Sequence, residues 1–197
     1  MRNVDYPPIW QISPEVKDTA RVVEGLLRPT LVRQYCGGNE RQYLDATVPF
    51  RERQLPSLLS IASPHNLRRK IVLDLGCGSR YARDADTYTS FEPWLSRALH
   101  ALDIHVIGVD IANLDGEYFD HHSIDLFLPD SLGFIPDESI GMVYAIGLFD
   151  SPALKENYGH DAGRQLRDHI LPQLERIVKP DGIFMYERTG TQMLKSA

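Results

Sequence analysis

The residues Ile71-Val-Leu-Asp-Leu-Gly-Cys-Gly78 constrain the fold more than any other part of the chain. Ile71, Val72 and Leu73 are a short apolar run that suits a strand buried on both faces. Asp74 ends that run with a carboxylate. Gly76 and Gly78 follow, where the backbone must turn sharply and a ligand can come close. A buried strand running into a glycine-rich loop is how an open α/β sheet builds its ligand crevice. The plainer alternative is a glycine turn after a core strand, with no ligand.

Asp74 bears on which ligand. A nicotinamide site receives a pyrophosphate on G-x-G-x-x-G at a helix N-terminus. Here Tyr81 stands where the third glycine would be. A carboxylate close to the loop repels phosphates and suits a cation, and S-adenosylmethionine (SAM) carries both a sulfonium and an ammonium. The loop resembles the first motif of class I SAM-dependent methyltransferases, an acid followed by x-Gly-x-Gly. That resemblance implies that Asp74, Gly76, Cys77 and Gly78 line the cofactor.

At 197 residues the chain is long enough for one domain with a substantial core. Its formal net charge of −6 supplies no global basic field, which argues against a nucleic-acid partner. Cys36 and Cys77 are the only cysteines, too few for a disulfide framework or a zinc site. Cys77 reads as a small buried filler. No signal peptide or long apolar run is visible, so a soluble, cytoplasmic protein without a membrane partner is expected.

Residues 1–69 precede the sheet and are expected to form an N-terminal helical cap or lid on a core of residues 70–197. Ser13-Pro14-Glu15 is a helix start: a capping hydroxyl, a proline at the first position and an acid at the positive dipole end. Val16, Ala20, Val23 and Leu27 recur at helical spacing, and Pro29 is expected to close the element. A second amphipathic piece spans 51–62, interrupted by Pro56. Between them, 35–43 reads as a flexible polar loop. By analogy with the family's tyrosine-bearing lids, Tyr35 and Tyr43 are candidates to close over the cofactor.

After the glycines the chain departs from the family plan. Ser79 to Thr89 is polar and lacks a helical stripe, so it reads as an added loop beside the ligand or a tolerated surface insertion. The next helix is expected from about Ser90, with Trp94, Leu95, Ala98, Leu99 and Leu102 on one face.

His105-Val-Ile-Gly-Val-Asp110 reads as the second strand, ending in another acid. A carboxylate there suits both ribose hydroxyls, which it can accept in bidentate fashion. Ile111 follows and is a candidate to pack on adenine. The third strand is placed at Ser123 to Pro129. Its Asp125-Leu126 resembles the family's third motif, which implies an adenine amino group on Asp125 and the ring under Leu126. Ile140 to Ile146 is the fourth strand, and its end from Ala145 to Asp150 is expected to face the transferred methyl.

Residues 164–178 form an amphipathic helix with Leu166, Ile170, Leu171, Leu174, Ile177 and Val178 inward and Pro172 as a kink. Lys179-Pro180-Asp181-Gly182 reads as its stop signal and Ile183 to Tyr186 as strand five. This run is similar to the helix, Lys-Pro-x-Gly and strand of class I methyltransferases, so the resemblance covers about residues 70–187.

The fold expected is therefore α/β, a doubly wound, mainly parallel Rossmann-like sheet of order 3-2-1-4-5. It would lack the family's last two strands. Strand five would then be an exposed apolar edge, which folded proteins avoid. Residues 183–186 are expected to be covered by an N-terminal segment, by a second copy in a homodimer, or by a longer parent chain.

The function expected is methyl transfer from SAM to a small-molecule acceptor. Asp150, His160 and Tyr144 lie on or after strand four, but nothing in the sequence separates them, so no catalytic base is assigned. His121-His122 reads as a solvated loop pair and no metal site is expected. The rivals are a catalytically inactive SAM-fold interaction module, an aminopropyltransferase using decarboxylated SAM, and a nicotinamide dehydrogenase. Asp74 and the missing third glycine disfavour the last.

Overall fold

The computed structural model describes residues 1–5, 7, 11–78, 92–111 and 116–186. In chain order these form β1 Arg2–Asp5, α1 Pro14–Tyr35, α2 Glu40–Ala46, a π-helical turn Phe50–Gln54 continuing into α3 Leu55–Ile61, and α4 Pro64–Leu67. Then come β2 Ile71–Leu75, α5 Trp94–Ala101, β3 His105–Asp110, β4 Asp120–Ser123, β5 Ile140–Ala145, α6 Pro152–Tyr158, α7 Ala162–Ile177 and β6 Val178–Tyr186.

The strands form one six-stranded sheet in the order β1-β6-β5-β2-β3-β4, and every pairing is parallel. Successive side chains of a strand point to opposite faces, which divides the core in two. On one face Val72, Val106, Met142 and Met185 meet Leu31 of α1, Leu58 of α3 and Leu99 of α5. On the other Leu73, Val109, Val143 and Phe184 meet Leu166, Ile170 and Leu174 of α7. Helices therefore cover both faces, as parallel strands buried on both sides require. No helix among the described residues is long and apolar enough to cross a membrane.

The strand order differs from the five-strand order expected. A sixth strand, β1, comes from the region read as wholly helical and lies parallel to β6, with Arg2 opposite Ile183 and Asp5 opposite Tyr186. It hydrogen-bonds the edge that the sequence leaves bare, so among the described residues β1 is the outermost strand on that side.

Four local readings are corrected. First, α1 runs through Pro29 to Tyr35, although a proline removes one hydrogen bond of the helix. Leu31, Val32 and Tyr35 beyond it are buried, and that packing outweighs the break. Second, 35–43 is no flexible loop. Tyr35 ends α1, Tyr43 lies within α2, and both rings are buried, so neither is an open lid residue. Third, the third strand is β4, Asp120–Ser123, rather than 123–129. This edge strand is polar and half-exposed, so it carries no apolar signature. The apolar run after it forms turns that drop Leu126 into the core. Fourth, Lys179–Gly182 lies within β6 as a bulge, because Ile140 pairs with Val178 and Met142 with Ile183. The polar stretch 79–89 lies outside the described residues.

Leu174 is fully buried under the sheet, whereas Leu26 on α1 is 75% exposed. Leu174→Ala is expected to cost about 2–5 kcal/mol in urea unfolding. Leu26→Ala is expected to stay within about 0.5 kcal/mol.

Candidate functional site

The chain passes from β2 to β3 through α5 on one face and from β5 to β6 through α7 on the other. Strand order therefore reverses between β2 and β5, and the crevice of an open α/β sheet lies at the carboxyl ends of such a pair. The loop leaving β2 faces that crevice. Gly76 and Gly78 have φ of 69° and 91°, a left-handed conformation that favours glycine. Their turn carries the loop over the end of β3, where Gly76 N donates to Val109 O at 2.8 Å and Gly78 N donates to Asp110 Oδ2 at 2.9 Å.

Asp74 is buried, 4% exposed, on the face covered by α5. Its Oδ2 accepts from Ser96 Oγ at 2.6 Å. Burial pushes its carboxyl up to about 7, against the Ser96 hydrogen bond that pulls it down, and the Asp110 charge adds to the rise. Near neutral pH the site therefore holds its proton loosely.

Cys77 is buried, and its Sγ lies 3.0 Å from Nε2 of His121 on β4. Burial and the charges of Asp74 and Asp110 push the thiol well up. Burial also pulls His121 down to about 4. Both partners are thus neutral at pH 7, a hydrogen-bonded pair rather than a thiolate nucleophile. The contact requires Gly108, because a Cβ there would stand 2.6 Å from Phe119 Cε2 and 3.1 Å from Cys77 Sγ.

The structure thus gathers Asp74, Gly76, Cys77, Gly78 and Asp110 in one place. Asp125 is already engaged elsewhere. Ile124 N donates to Asp110 O at 2.8 Å, which keeps the segment beside β3. The Asp125 carboxylate, however, accepts from Phe127 N at 2.9 Å and from the Tyr158 hydroxyl of α6 at 3.1 Å. Leu126 is buried beneath it, and Ile111 is 62% exposed. Ala145 ends β5 with its methyl in the α7-side core, on the face away from Asp74. Tyr144 is buried on the α5 side, Asp150 lies 3.3 Å from Lys155 Nζ, and His160 is exposed.

Leu148 enters the crevice itself. A Cβ at Gly76 would stand 2.8 Å from Leu148 Cδ1, so this glycine makes room for a leucine side chain from beyond β5.

Sequence reasoning missed the support behind the site. Arg97 on α5 has no exposed side-chain surface. Its Nε donates to Glu117 Oε2 at 2.9 Å and its Nη1 donates to Glu92. Its guanidinium carbon lies 4.1 Å from the centroid of Tyr35 and 4.6 Å from that of Trp94. Tyr43 completes the aromatic group edge-on to Trp94 and donates to Glu24 Oε1 at 3.0 Å. The signal available was the arginine within the apolar face of a helix, which a buried position obliges to find carboxylates. His121-His122, read as a loop pair, lies on β4. Among the described residues no group of three or more His, Cys, Asp or Glu is placed to hold a metal ion. The chain matches no family model and no curated protein.

Glu117→Ala is expected to destabilise the fold by about 3 kcal/mol in urea unfolding, because it leaves a buried guanidinium with only one of its two carboxylate partners. Asp74 has a folded pKa of about 7 against an ordinary 3.8. Its contribution to stability is therefore fully present below pH 4 and is lost as pH rises through 7. Thermal melts of Asp74→Asn are expected to show a flatter profile than the wild type between pH 4 and 7, with the variant gaining most at pH 8.

Proposed function

We propose that this chain is a SAM-dependent methyltransferase acting on a small-molecule acceptor. The observation that carries the reading is the bond from Gly78 N to Asp110 Oδ2. It joins a glycine turn to a strand-end carboxylate on the neighbouring parallel strand, beside the buried Asp74 at the reversal of strand order. A nucleoside laid across that junction meets backbone able to approach closely and a carboxylate fit for ribose hydroxyls. Asp74 adds an anion whose proton a nearby cation would drive off.

In this reading SAM supplies the methyl group and the sulfonium leaving group. The chain supplies alignment and exclusion of water. Asp110 positions the ribose, Asp74 offsets the positive charge, and the turn at Gly76–Gly78 leaves space for the methionine end. Leu148 must swing off Gly76 and Tyr158 off Asp125 before the whole ligand is seated.

Those two contacts also favour a second reading. A side chain on Gly76 and a satisfied Asp125 are what an inactive SAM-fold interaction module would keep. Calorimetry with SAM, its demethylated product, decarboxylated SAM and NAD separates the readings. The enzyme reading expects micromolar binding of SAM and its product, weakened at least tenfold by Asp110→Asn, and methyl transfer to a member of an acceptor panel. Affinity for SAM is expected to rise with pH between about 6 and 8, with proton release, because the cation favours ionised Asp74. Asp74→Asn should remove that slope. Tight binding without turnover supports the module, preference for decarboxylated SAM supports aminopropyl transfer, and no SAM binding refutes the proposal.

A further inference from the structure

A second site-like feature lies at the opposite, amino-terminal end of the sheet. There a cleft of about 420 Å³ is lined by Ile61, Ala62 and Ile183 on its apolar side and by Asn66, Arg69, Lys70, Lys179 and Asp181 on its polar side. It is a half-open surface cleft rather than an enclosed cavity, with both apolar and polar lining groups. Three cations against one carboxylate give it a positive balance in a chain of net charge −6. Neither Arg69 nor Lys179 forms an ion pair among the described residues, and Lys70 Nζ stands 4.0 Å from the exposed Asp181.

The backbone is shaped to hold these cations. A Cβ at Gly141 of β5 would stand 2.6 Å from Lys70 Cβ, so the lysine stem lies across a strand position kept bare for it. The bulge of β6 lifts Lys179 and Asp181 out of the ladder, and bulges re-aim side chains in this way. That bulge needs Gly182, where a Cβ would stand 2.4 Å from Val178 Cγ1 and 2.9 Å from Lys179 O. Two glycines in neighbouring strands thus set the positions of two lysines at one cleft.

We propose that this cleft binds a small organic anion, a phosphate monoester or carboxylate on an apolar body, at a site separate from the carboxyl-end crevice. The anionic head lies among Arg69, Lys70 and Lys179, where the arginine fork matches paired oxygens. The apolar body lies on Ile61, Ala62 and Ile183. Among the described lining residues Asp181 is the repulsive group and sets the affinity below what the cations alone would give.

Phenyl phosphate, benzoate, inorganic phosphate and benzyl alcohol, titrated into the full chain and followed by amide NMR shifts, test the proposal. Phenyl phosphate or benzoate is expected to shift residues 69–70 and 179–183 and to bind at least fivefold tighter than inorganic phosphate or benzyl alcohol. The relative affinity of the first two identifies the preferred head group. Arg69→Ala and Lys179→Ala should each weaken binding several-fold. Asp181→Asn should tighten it, a gain that misfolding does not produce. Equal binding of inorganic phosphate, indifference to Asp181→Asn, or shifts confined to residues 76–78 would overturn the proposal.

Discussion

A guanidinium sealed from water must be answered by carboxylates or the fold does not hold it. Arg97 is that group, and much of the molecule is arranged around it. Glu117 reaches it from the connection between β3 and β4, Glu92 from the segment before α5, and Tyr35 and Trp94 stack on it from α1 and α5. Its neighbour in sequence, Ser96, donates to Asp74 on β2. One turn of α5 therefore ties the N-terminal helices, the centre of the sheet and the connection leading to its polar edge. The site inherits its geometry from this tie, since Ser96 fixes the carboxyl whose proton is poised near neutrality.

The central strands were legible because a parallel strand covered on both faces must be apolar throughout. Val72-Leu73, Val106-Ile107 and Met142-Val143 announce themselves for that reason. The helix start at Ser13-Pro14 was legible from cap chemistry alone, and Ser13 does accept from Val16 N. The edges were not. β4 reads Asp-His-His-Ser because an edge strand need bury little, and β1 is too short to show a period. Pro29 misled because local propensity was weighed without the burial of Leu31, Val32 and Tyr35 that holds the helix together beyond it.

The candidate site divides along the same line. The placement of Asp74, Gly76, Gly78 and Asp110 together was legible, since it follows from strand ends and left-handed backbone. Their partners were not, because Ser96 and His121 reach them only through tertiary packing. Asp125 shows the limit of a motif. Its place after the third strand says where the backbone goes, yet its carboxylate is oriented by Phe127 N and by a tyrosine 33 residues later.

Leu148 gives these observations a physical direction. A glycine at 76 serves two occupants equally well, since the missing Cβ admits either a leucine side chain or a ligand. Leucine contact there gains apolar burial, whereas under the proposed function a nucleoside would gain ribose hydrogen bonds to Asp110 and charge compensation at Asp74. The two cannot fill one volume, so on the proposed function binding at this crevice would be an exchange, its net free energy the difference between the occupants. The segment that carries Leu148 contains α6, which buries none of its own residues, and it lies between Gly147 and Gly159. Both glycines have left-handed φ and open space around the missing side chain. The same segment carries Phe149, 3% exposed in the α7-side core, so Phe149 anchors it, and motion that clears Gly76 is confined to the Leu148 side chain and the weakly packed α6.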